Sequence, residues 1–126
     1  MPTELPIIQV EFTSRFQRDV RTLAKRYRSI RDDIQRLIEQ LKAGEIPGDQ
    51  VPGLEYTVFK VRVRNSNIQK GKSGGYRVLY YFKTLDLVVL LTMYAKSDQT
   101  DFVVEEVRDI LLQYEQQAFE SENSAD

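Results

Sequence analysis

The alternation of apolar and polar residues begins at Ile7 and runs to Phe12, with Pro6 just ahead of it. Proline is tolerated at the first position of a strand, so this segment reads as a short strand. Thr13 or Ser14 then offers a side-chain oxygen to cap a helix. Apolar residues follow at Phe16, Val20, Leu23, Ala24, Tyr27, Ile30, Ile34, Leu37, Ile38 and Leu41, a helical spacing throughout. That span is long for one globular helix. A break near Ser29 makes it a helical hairpin, although no glycine or proline marks the place.

Ala43 to Gly53 carries Gly44, Pro47, Gly48, Pro52 and Gly53 and reads as a loop. Thr57 to Arg64 then alternates strictly, with Phe59, Val61 and Val63 on one face and Lys60, Arg62 and Arg64 on the other. A polar, glycine-containing connection covers Asn65 to Gly75. Two aromatic and β-branched strands follow, Tyr76 to Lys83 and Leu87 to Ala95, joined by a tight turn at Thr84-Leu85-Asp86. Val103, Val107, Ile110, Leu111, Tyr114 and Ala118 line one face of a last helix, whose first turns hold Asp101, Glu105 and Glu106. The order β-α-α-β-β-β-α predicts an α+β fold. It combines an antiparallel-dominated β-sheet, an N-terminal helical hairpin and a C-terminal helix, with the helices on one face. A single domain is expected over 1–120 and a disordered acidic tail over 121–126.

The totals narrow the chemistry. The 126 residues suit one domain and include neither cysteine nor histidine. Disulfides, thiolate metal sites, the usual neutral-pH acid/base and the commonest metal ligand are all excluded. Met1 to Phe12 has no signal-peptide pattern, and the longest apolar run, Leu87 to Leu91, is far too short to cross a bilayer, so a cytoplasmic protein without membrane partners is expected. A net charge of −1 conceals an uneven distribution. Cations dominate Ser14 to Arg31 and are unopposed from Thr57 to Leu85, whereas acids dominate from Ser97 onward.

The basic strand is the first chemical clue. Lys60, Arg62 and Arg64 recur about 7 Å apart on one face. Arg77 and Tyr81 can join that face from the next strand, with Val78, Tyr80 and Phe82 turned to the helices, and Thr92, Tyr94 and Lys96 can extend it. Cations interleaved with aromatic rings suit a nucleic-acid strand, the charges tracking phosphates and the rings stacking on bases. A solvated sheet face that resists aggregation has the same composition. Gly71-Lys72-Ser73 fails as a phosphate-binding P-loop, because Ser66 stands where the first glycine is needed and a strand follows instead of a helix. Lys70 and Lys72 remain candidate phosphate contacts. Asp98 and Asp101 lack a third ligand and read as helix-capping residues, so no metal site is expected.

Two blocks then stand out: Lys70-Gly71-Lys72-Ser73-Gly74-Gly75-Tyr76-Arg77-Val78-Leu79-Tyr80-Tyr81-Phe82, and Leu90-Leu91-Thr92-Met93-Tyr94-Ala95-Lys96-Ser97-Asp98-Gln99-Thr100-Asp101. At this spacing they closely resemble the RelE/ParE toxin superfamily, and most of all its HigB-like branch, over roughly Val58 to Phe102. The resemblance implies a RelE-like fold and the toxin of a type II toxin–antitoxin system. It further implies an mRNA endoribonuclease that acts on the ribosome without metal or other cofactor, by attack of a ribose 2′-hydroxyl on the adjacent phosphate. Carried across residue by residue, Lys60 and Arg62 match the two basic strand residues, Arg77 the arginine clamping the phosphate, and Lys96 the lysine ending the last strand. The expected RNA contacts are Arg64 and Tyr81, from the alternation of the strands, together with Lys70, Lys72, Tyr94 and Phe102, among which the choice of a substitute for missing family residues stays open. The sequence departs from the best-known pattern at Ser97, where an arginine is expected, and near Phe102 or Val103, where a stacking tyrosine is. Expected partners are mRNA on the ribosome and a cognate antitoxin of helix-turn-helix type, covering the basic face or the final helix. Two rival readings share the fold: a ParE-like gyrase inhibitor, which needs no phosphate clamp, and a non-catalytic or degenerate RNA-binding toxin.

Overall fold

A computed structural model describes residues 7–68 and 74–123. Strand β1 (Gln9–Phe12) leads into helices α1 (Ser14–Ala24) and α2 (Ile30–Lys42), a two-residue strand β2 (Asp49–Gln50), strands β3 (Val58–Val63), β4 (Tyr76–Thr84) and β5 (Leu87–Ala95), and helix α3 (Val104–Asn123). The sheet order is β1-β5-β4-β3-β2, antiparallel except for the parallel edge pair β1–β5. The helical hairpin breaks over residues 25–29, with Ser29 at the head of α2, as its length demanded. Two features depart from expectation: the glycine- and proline-rich loop contributes β2, and α3 continues three residues into the segment read as a disordered tail.

The larger departure concerns the helices. They cover both faces of the sheet. Phe16, Leu23, Ile34, Leu37 and Leu41 of the hairpin pack on Val61, Val63, Val78, Tyr80, Leu90 and Met93. On the other face Val107, Ile110 and Leu111 of α3 pack on Val58, Leu79, Tyr81, Val89 and Leu91. Strands β4 and β5 are therefore buried on both sides, which explains their nearly continuous apolar runs. The alternation of β3 signalled only the half of that strand left uncovered by α3.

Helix α1 begins as its sequence dictates. The Thr13 hydroxyl accepts the Phe16 amide (3.0 Å) and donates to the Leu91 carbonyl (2.6 Å). One register shift inserts Leu91 into β5, because Leu79 faces Thr92 while Tyr80 faces Leu90. β1 pairs only as far as Leu90, so the β5 edge beyond it needs other partners. Asp19 of α1 supplies them, accepting the Thr92 hydroxyl (2.5 Å) and the Met93 amide (3.1 Å). On the far side, Asp33 accepts the Ser66 amide (3.0 Å) and hydroxyl (3.2 Å), and Asn67 accepts the Ser29 amide (2.9 Å). These bonds root the β3–β4 connection on α2, beside the basic half of the sheet.

Candidate functional site

The register of the central strands assembles the site. Arg62 on β3 faces Arg77 on β4, which faces Tyr94 on β5, and Lys60 faces Leu79 one repeat away. These residues share the face that α3 packs on farther along: Arg62 is exposed and Lys60 half-buried, whereas Arg77 and Tyr94 are buried, Tyr94 within the core cluster that includes α3. Gly75 shapes the entrance: its φ is +99°, and a Cβ there would stand 2.7 Å from the Val63 carbonyl oxygen. The same glycine's carbonyl accepts the Lys96 amide (2.9 Å), fixing where the chain leaves β5.

Arg77 is the unusual member. Its side chain belongs to a residue only 6% exposed, yet its hydrogen bond runs merely from Nη1 to the neighbouring Tyr76 carbonyl (3.2 Å). Among the described residues no carboxylate lies within 4.0 Å of it. A desolvated guanidinium without a counter-ion favours an incoming anion, because the cost of burying the cation is already borne in the fold.

A carboxylate nevertheless stands close by. Asp101 Oδ1 accepts from Lys60 Nζ (3.2 Å), from the Phe102 amide (2.9 Å) and, at the outer limit of a hydrogen bond, from the Tyr94 hydroxyl (3.5 Å). Lys60 and Tyr94 lie on strands flanking β4, about 10 Å apart at ordinary strand spacing, so a group reaching both must sit over β4. The Phe102 amide, and then Lys60, hold the Asp101 carboxyl below its ordinary range. Burial, followed by the Asp101 charge, pushes the Tyr94 phenol up and keeps it protonated. The Phe102 ring centroid is 5.4 Å from Lys60 Nζ, a cation–π contact, and Lys96 Nζ donates to the Thr100 carbonyl (2.5 Å).

The structure thus brings together Lys60, Arg62, Arg77, Tyr94, Lys96 and Phe102. Tyr81 is corrected. It lies beneath α3, as buried as Tyr94, but with its hydroxyl donating to Glu115 (2.7 Å) on α3 and its ring edge-on to Tyr56 and Tyr114, so it packs with the α3 core rather than with Arg77. Arg64 is exposed on the flank, where it and Arg62 line a cavity of about 290 Å³ with Asp33, Arg36 and Ser66. Lys70 and Lys72 lie outside the described residues. Asp98 and Asp101, read from sequence as helix caps, are instead ion-pair partners of Arg26 and Lys60. Asp101 is the site residue that sequence reasoning missed, since its partners are 7 and 41 residues away.

A family model described as "RelE toxin of RelE / RelB toxin-antitoxin system" matches residues 13–123, which include every element from α1 to α3. No curated protein matches the chain. Among solved structures the chain is similar to "Crystal structure of TrmO from Pseudomonas aeruginosa", at 22% identity and a TM-score of 0.43. That match covers 72% of this chain but only 37% of the TrmO chain. Among the described residues no helix is long and apolar enough to cross a membrane.

Proposed function

The chain belongs to the RelE toxin family of toxin–antitoxin systems, and from that premise we propose that it is a ribosome-dependent mRNA endoribonuclease of the HigB-like branch. The observation that carries the proposal is Arg77, a guanidinium sunk into the sheet with no carboxylate within 4.0 Å among the described residues, facing Arg62 on β3 with Lys60 one repeat away. A gyrase poison needs no such clamp. Arg77 receives a non-bridging oxygen of the scissile phosphate, and Arg62 and Lys60 approach the neighbouring phosphates. Fixed cations aimed at charge that grows as the 2′-oxygen attacks are the largest available source of rate. The Phe102 ring, half-buried beside Lys60, is positioned to stack on a base in place of the tyrosine the family pattern leads one to expect.

The partners follow from this reading: mRNA in the ribosome, in the cytoplasm, and a helix-turn-helix antitoxin that covers the basic end of the sheet. Inducible expression beside Arg77→Ala, with mapping of mRNA 5′ ends, tests it. Growth arrest with codon-phased 5′-hydroxyl ends, lost in the variant, is expected. Arrest without new ends would point to gyrase or another target. An absence of arrest would make the chain a non-catalytic RNA binder.

A further inference from the structure

Cleavage by a 2′-hydroxyl requires a group to take that hydroxyl's proton, and the chain has no histidine. Arginine offers no lone pair, and Lys60 and Lys96 are each engaged as hydrogen-bond donors, to Asp101 and to the Thr100 carbonyl. Tyr94, raised by burial, also keeps its proton. Among the described residues around Arg77, the carboxylate over β4 is the one acceptor left.

Resting on the nuclease reading above, we infer that Asp101 is the general base of the cleavage site. Its position supports this from three directions. It enters from the segment leading into α3, held by the Phe102 amide, so its placement does not depend on a bound ligand. It bonds Lys60 from one flanking strand and meets Tyr94 from the other, which sets it above the strand carrying Arg77. Its side chain is 61% exposed, so a ribose can reach it.

The step balances as follows. The 2′-oxygen forms a bond to phosphorus as its proton passes to Asp101, and the bond from phosphorus to the 5′-oxygen breaks. The 5′-oxygen leaves with a proton from solvent, and Asp101 returns its own proton to solvent. Lys60 exchanges its bond to Asp101 for a phosphate oxygen as RNA enters. The titratable and charged groups facing Asp101 are Lys60 from β3, the protonated Tyr94 from β5 and Lys96 from the segment after β5, while Arg77 on β4 acts on Tyr94.

The test is single-turnover cleavage of ribosome-bound mRNA at saturating toxin, for wild type, Asp101→Asn and Asp101→Glu, between pH 6 and 8.5. Binding is measured in parallel with an mRNA carrying a 2′-deoxy nucleotide at the cleavage site. A base ionised well below pH 6 makes the wild-type rate flat across this range. Asp101→Asn should lower it roughly 100-fold or more, with binding unchanged or tighter because Lys60 is freed. Its residual rate should rise tenfold per pH unit as hydroxide takes over, and Asp101→Glu should recover part of the loss. A wild-type rate that itself rises tenfold per unit would transfer the role to a lysine and overturn the assignment. So would cleavage by Asp101→Asn within about threefold of wild type, or a loss confined to binding. Those results would leave the nuclease reading intact, whereas a wild type that cleaves nothing on the ribosome would remove both.

Discussion

Replacing Arg77 with methionine separates two roles that a buried arginine can have. Methionine keeps most of the aliphatic volume and removes the charge, so the mismatch in packing costs at most about 1.5 kcal/mol. Against that stands the relief of a desolvated cation whose residue is 6% exposed and whose hydrogen-bond partner, among the described residues, is one carbonyl. Exchanging buried charges for apolar side chains is often neutral or stabilising by about 1–4 kcal/mol. The net expectation is therefore a protein as stable as the wild type or more so, by up to about 2 kcal/mol. For a domain of this size that corresponds to a rise of up to roughly 8 °C in Tm. Cleavage should move the other way. Loss of one preorganised donor to a developing oxyanion costs about 100–1,000-fold in rate. The dependence of log Kd for RNA on log salt concentration should become shallower by about one. Urea unfolding, single-turnover cleavage and a salt titration on the same preparation measure all three. A fall in stability of more than about 2 kcal/mol, with cleavage retained by the folded fraction, would show that Arg77 holds the sheet together and would refute the clamp.

Three other perturbations test the surrounding structure. Tyr81→Phe removes a hydroxyl bonded to Glu115, which Lys83 still pairs at 3.4 Å, and should cost about 1 kcal/mol in urea unfolding. Cleavage by Tyr81→Phe should match the wild type, and a tenfold loss in the folded protein would return Tyr81 to the RNA face. Gly75→Ala forces a β-carbon into a positive-φ position against the Val63 carbonyl and should destabilise by about 1–3 kcal/mol. Because Gly75 also anchors Lys96, its cleavage rate should fall as well; a normal rate and normal stability would mean the strand end relaxes freely. The third concerns pH. Asp98, bonded by Arg26, and Asp101, held by the Phe102 amide and Lys60, both sit below the ordinary carboxylate range when folded. Their contribution is complete above about pH 4 and is lost as pH falls through the lowered folded values. Both are exposed, so the effect is small, and the Asp98→Asn/Asp101→Asn variant should lose stability less steeply below pH 4. An unchanged acid limb would show that neither pair contributes.

The element order could be read from spacing because each element repeats with its own period: 3.6 along the hairpin and α3, 2 along β3. Lys60, Arg62 and Arg77 were legible as one face for the same reason, since strand alternation is geometry that the backbone imposes locally. Which side of the sheet α3 would cover was not. The apolar runs of β4 and β5 say only that both faces are buried, and the choice was made when α3 crossed to the face opposite the hairpin. That crossing buried Tyr81, whose residue type and alternation alone had put it among the RNA contacts. Asp101 illustrates the same limit from the other side. Its acid-rich neighbourhood reads as a helix start, and nothing local distinguishes a capping aspartate from one that meets Lys60 across 41 residues of chain. Backbone periodicity is a short-range property and survives in one dimension. The convergence of a cation from β3, a phenol from β5 and a carboxylate ahead of α3 is a property of packing, and only the folded chain creates it.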